Sequence, residues 1–129
     1  MVKRRKFVTN LSFEKIEQSI QDRKKMHLRF LDHVKTYKFL LELEENAFRD
    51  GALPKKAKEL MALSISIVTK CEPCMEWHLD QAMQAGATDE EIYETIDVAI
   101  EMGGGQAGAY ARFVLNALDF FKAKRKENG

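Results

Sequence analysis

Residues 54–86 read PKKAKELMALSISIVTKCEPCMEWHLDQAMQAG, and this stretch decides the fold. Pro54 stands where a first-turn proline belongs and opens a helix expected to run to about Val68. Beyond Glu59 that helix is apolar or small on every side, from Leu60 to Val68, unlike an amphipathic surface helix. It is therefore expected to be the central, buried one. Glu72 precedes Pro73 and is pushed away from helical geometry, which marks a chain break near residues 70–72. Pro73 opens the next helix, which reaches about Ala85 and stops at Gly86.

Downstream, Thr88-Asp89-Glu90-Glu91 has the form of a capping box, and the helix behind it presents Ile92, Ile96, Ala99 and Ile100 on one side. Gly103-Gly104-Gly105 interrupts the chain before a last helix carrying Ala107, Tyr110, Ala111, Val114, Leu118 and Phe121. Upstream, apolar residues recur at helical spacing from Ser12 to Phe48: Phe13, Ile16, Ile20, Phe30, Leu31, Val34, Tyr37, Leu41 and Phe48. The polar run Gln21 to Lys25 is expected to divide this stretch into two helices, and Asp50-Gly51 closes it. No segment shows strand periodicity. The expected architecture is all-α, with about six helices in one domain at residues 11–122. A flexible basic arm at 1–10 and a basic tail at 123–129 flank it.

A chain of 129 residues, 45% hydrophobic, has material for one core. Its 21 basic and 20 acidic residues leave a net charge of +1, so no overall field favours nucleic acid or a membrane as partner. Lys3 to Lys6 and Lys122 to Lys126 are read as solvated ends. Phe7-Val8 runs straight into Thr9-Asn10, so the apolar stretch of a secretory leader is missing, and no apolar run approaches membrane-spanning length. The expected location is the cytoplasm. There a C-x-x-C pair is more often catalytic or metal-binding than a structural staple.

Cys71 and Cys74 are the only two cysteines. At this spacing two thiols can close a small disulfide ring and so move two electrons between partners. Cys71, Cys74 and His78 are offset by three and four residues and share one side of a helix that begins near Cys71. The positive end of that helix favours thiolate over thiol, and the imidazole one turn along can accept or return a proton. Glu59, at the point where its helix turns apolar, is either part-buried and partnered by His78 or the last polar residue of an exposed turn. Zinc held by Cys71, Cys74, His78 and Glu59 is an alternative, although thiol-rich structural sites usually draw on more cysteines. A non-catalytic helical oligomerisation module is another. His27 and His33 are read as surface residues. Trp77 and Met75 are read mainly as packing groups, and Tyr110 as a possible hydrogen-bonding neighbour of the site.

Glu59, eleven intervening residues, Cys71-Glu72-Pro73-Cys74, three more and His78 together resemble the signature of the carboxymuconolactone decarboxylase superfamily, in its alkylhydroperoxidase D-like branch. Leu53 to Leu60 before the motif and Ala85 to Ile92 after it fit as well, and the likeness covers roughly residues 30–120. The resemblance implies an all-helical homo-oligomer, a trimer or hexamer. It also implies a thiol-dependent oxidoreductase that reduces hydroperoxides or disulfides. In that chemistry Cys74 attacks, Cys71 resolves, and Glu59 and His78 relay protons. It implies a peroxide or disulfide substrate and a dithiol electron donor; no cofactor or metal is expected. The ring-opening decarboxylation that names the superfamily needs acid–base groups and would leave the cysteine pair unexplained. One departure stands out: the best-known peroxidase members are longer and carry a histidine where this chain has Pro73.

Overall fold

The computed structural model describes residues 2–128, with side chains from residue 11 onward. Its helices are α1 (Val2–His33), α2 (Tyr37–Phe48), α3 (Lys55–Val68), α4 (Glu72–Gln84) and α5 (Asp89–Asn128). No strand occurs among the described residues. The side chains of the basic arm at 1–10 lie outside what is described, and neither the arm nor the tail at 123–129 is marked off by a helix end. Among the described residues no helix is long and apolar enough to cross a membrane.

Five continuous helical runs stand against about six expected, because the last two expected helices join across a kink at Gly104. Gly103-Gly104-Gly105 does interrupt α5, as expected, dividing it into two helical arms with no loop between them. Only Gly104 leaves helical geometry, at φ 73°, a left-handed value that glycine adopts without a steric penalty. The first break falls at Val34-Lys35-Thr36 and not at Gln21 to Lys25. Arg, Lys and Gln are good helix formers, so a polar run without glycine or proline changes the face of a helix but does not stop it.

The core joins Ile16 of α1, Leu63 and Ile67 of α3, Met75, Leu79 and Met83 of α4, and a long stripe on α5. On α5 it runs from Ile92 through Ala99, Ala107 and Val114 to Phe121. The capping box forms as the sequence implies. Thr88 Oγ1 accepts from the Glu91 backbone N–H at 3.1 Å, and Glu91 Oε1 accepts from the Thr88 N–H at 2.9 Å. The Thr88 backbone bond, with Lys56 beside it, holds the Glu91 carboxyl below the ordinary carboxylate range.

Two expectations about burial need correction. Helix α3 is not enclosed, because Met61, Ile65 and Val68 form an exposed apolar stripe on its outer side. Ile100, Phe30, Leu31 and Val34 are likewise exposed, Tyr37, Leu41 and Phe48 are half-buried, and α2 contributes no fully buried residue. The reason is geometric: a single chain supplies helices to only one side of α3 and of the α1–α2 pair.

Helices α3 and α4 end in the same motif. After α4, Gly86 N–H bonds to Met83 O and Ala87 N–H to Ala82 O; after α3, Lys70 N–H bonds to Ile67 O and Cys71 N–H to Ser66 O. The first uses glycine at φ 94°, the second uses lysine at φ 61°. A lysine in this region carries a steric cost that glycine avoids. Replacing Lys70 by glycine is expected to raise unfolding stability by about 0.5–1 kcal/mol, read from urea denaturation of parent and variant.

Candidate functional site

The tight ending at Lys70 sends the chain straight back, so α3 and α4 form an antiparallel pair with Cys71 at the hinge. Cys71 is the N-cap of α4, and its Sγ accepts the Cys74 backbone N–H at 3.3 Å. Cys71 and Cys74 are joined in a disulfide, with Cα atoms 5.2 Å apart. Pro73 in the first turn costs α4 no hydrogen bond and fixes the backbone between the two sulfurs.

Antiparallel pairing brings together residues at similar distances either side of the turn. Glu59 and His78 are such a pair, and His78 Nδ1 lies 2.7 Å from Glu59 Oε1. Glu59 is only 2% exposed, yet both its oxygens are partnered, because Lys55 Nζ donates to Oε2 at 3.0 Å. This is the satisfaction a buried carboxylate requires. With Nδ1 facing Glu59, Nε2 is the ring nitrogen outside that contact. The Phe48 ring of α2 stacks on the imidazole, with centroids 5.2 Å apart.

Cys74 and His78 open onto a groove of about 980 Å³ between α1, α2 and α4. Glu59 faces a second cavity of about 430 Å³, which it lines with Lys55, Asp50 and Phe48. Phe48 and Trp77 border both spaces. The Glu59–His78 pair therefore joins the two spaces, His78 lining the first with Cys74 and Glu59 lining the second.

A second buried carboxylate goes beyond what was expected from the sequence. Glu76 is fully buried, and Arg23 of α1 grips it with Nε–Oε1 at 2.8 Å and a second guanidinium nitrogen 3.3 Å from Oε2. Burial pushes the Glu76 carboxyl above its ordinary value, with the Arg23 bonds and charge opposing. The same guanidinium lies 4.6 Å over the Trp77 ring, and the Trp77 indole N–H donates to Glu44 Oε1 at 3.0 Å. These contacts tie α1, α4 and α2 together beside the disulfide. The available sign was Glu76 itself, three residues before Leu79 and seven before Met83 on an otherwise apolar stripe.

The other flagged residues fall differently. His27 is not a free surface group, since its Nδ1 lies 2.7 Å from the Tyr37 hydroxyl and it lines the groove. His33 is exposed. Met75 is pure core, while Trp77 lines the groove. Tyr110 lines a separate cavity with Lys15 and Glu72. Among the described residues no three of His, Cys, Asp and Glu gather as a metal site would need.

Two helices folded back on each other, presenting a dithiol, an imidazole and a buried carboxylate, define an all-helical dithiol protein. The chain belongs to the carboxymuconolactone decarboxylase family, whose model matches residues 35–117. Uncharacterized protein 4 in the cox locus of Paracoccus denitrificans is 46% identical over 79 residues, 61% of this chain and 71% of that protein. Two solved structures share the fold. One is a carboxymuconolactone decarboxylase family protein from Thermotoga maritima, described as possibly involved in antioxidative response. It has a TM-score of 0.78 and 30% identity over 86% of this chain and 95% of that one. The other is a carboxymuconolactone decarboxylase family protein from Legionella pneumophila in its apo form, with a TM-score of 0.75 and 30% identity over 85% of this chain and 96% of that one.

Proposed function

We propose that this protein is a dithiol oxidoreductase that reduces hydroperoxides, its Cys71–Cys74 disulfide being the oxidised state. The observation that carries the reading is a disulfide whose Cys74 end opens onto a groove beside His78, with His78 held by buried Glu59 at 2.7 Å. In the reduced state the Cys74 thiolate attacks the outer oxygen of the O–O bond. That bond breaks, Cys74 becomes a sulfenic acid, and the alkoxide leaves as an alcohol with a proton from His78. Cys71 then attacks the sulfenic sulfur, the disulfide closes and water departs. An external dithiol returns two electrons and two protons. Glu59 orients the imidazole, and its separate cavity gives the relay a route to solvent away from the substrate. A disulfide substrate enters by the same thiolate attack. The apolar stripe Met61, Ile65 and Val68 supports a homo-oligomer, a trimer or hexamer, as the working form.

The deciding measurement combines consumption of an organic hydroperoxide, with a dithiol as reductant, and mass analysis of the protein. Turnover that stops when the dithiol is withheld, leaving chains lighter by two hydrogens, is expected. Peroxide consumption unaffected by alkylation of both cysteines would defeat the reading. Sedimentation is expected to give a mass above that of one chain, and Ile65→Lys is expected to lower it.

A further inference from the structure

We propose that the groove over Cys74 binds a long-chain acyl carboxylate, the organic part of the hydroperoxide reduced there. The identity of the reacting group rests on the dithiol reading above; the identity of the chain rests on the groove. Its volume of about 980 Å³ is at the top of the range of about 300–1,000 Å³ typical of small-molecule sites. Hydrogen peroxide is little larger than water, whose share of liquid volume is about 30 Å³, so it has no use for such a space. The walls are apolar over most of their area, with Leu28, Leu40, Leu41, Leu43, Phe48 and Trp77 contributing. In the single chain Leu28, Leu40 and Leu43 remain exposed, so an apolar occupant gains by covering them.

The charged side chains and histidines at the groove are Arg23, Lys24, His27, Glu44 and His78. Four of the five are already engaged. Arg23 holds Glu76, His27 meets the Tyr37 hydroxyl, Glu44 accepts from the Trp77 indole, and His78 holds Glu59. Lys24 is exposed on the groove lining and makes no direct ion pair among the described residues, although its charge also acts on Glu76 from a distance. An apolar body ending in one anionic head therefore matches the site: carboxylate at Lys24, chain along α1 and α2, O–O group at Cys74. The chain supplies no electrons; those come from the Cys71–Cys74 dithiol, and the products are the chain alcohol and water.

Trp77 is the only tryptophan, so its emission reports occupancy directly. The full chain in its disulfide form is titrated below micelle-forming concentrations with octanoate, dodecanoate and dodecanol, none of which is reducible. Dodecanoate is expected to change the emission saturably and to bind at least tenfold more tightly than octanoate, since each fully buried methylene is worth about fourfold. It is also expected to bind more tightly than dodecanol. Lys24→Glu is expected to weaken dodecanoate at least fivefold and dodecanol less than twofold. Equal affinity for octanoate and dodecanoate, or equal losses for acid and alcohol in Lys24→Glu, overturns the assignment. Absence of binding with turnover of small hydroperoxides intact overturns this proposal and leaves the dithiol reading standing. Binding without any hydroperoxide turnover supports the groove's assignment and overturns the dithiol reading.

Discussion

Cys74→Ser is expected to lower hydroperoxide turnover by at least about a thousandfold, because a neutral hydroxyl replaces the attacking thiolate. Cys71→Ser should behave differently. Its Cys74 still attacks, so each chain consumes one hydroperoxide and then halts as a sulfenic acid that an added thiol can capture. The asymmetry follows from position. Cys74 lines the groove beside His78, whereas Cys71 caps the helix from behind with its sulfur on the Cys74 N–H. Stopped-flow peroxide loss and mass analysis after one equivalent distinguish the two variants. A Cys74→Ser protein that makes the single turnover, with Cys71→Ser inert, reverses the assigned roles.

Arg23→Ala is expected to cost about 3 kcal/mol or more of unfolding stability at neutral pH, since it strands a fully buried carboxylate without its partner. The pH dependence has a definite sign. Burial already raises the Glu76 carboxyl above its ordinary value of 4.5, so the folded state holds its proton to higher pH than the unfolded chain does. A raised pKa means that stability from this group is present below about pH 4.5 and is lost as pH rises through the folded value. Removing Arg23 lifts the folded value further. The gap between parent and variant should therefore be small at low pH and widen as pH rises above the ordinary carboxylate range. Urea denaturation across that range measures it. Replacing both residues by apolar ones of similar volume, as in Arg23→Leu with Glu76→Met, is expected to recover most of the loss.

Helix identity was legible where the local chemistry is strong. The proline at the start of α3, Pro73, the Thr88–Glu91 box and Gly86 each act within one turn of backbone, so their consequences do not wait on packing. The break at Val34-Lys35-Thr36 has no glycine or proline to announce it, and the left-handed turn at Lys70 occupies a position where glycine is usual. Both depend on how neighbouring helices dock. The exposed stripes on α2 and α3 misled for a related reason: periodicity shows which residues share a face, not whether anything covers it.

The sequence alone determined the helical class, the dithiol and the imidazole one turn beyond it, because residues three and four apart on one helix are neighbours by covalent geometry. Only the tertiary structure decided that Glu59 meets His78, that Arg23 neutralises Glu76, and that Cys74 faces a broad apolar groove. Each of those joins side chains from different helices, and the angle and spacing at which helices pack are set by the whole core together.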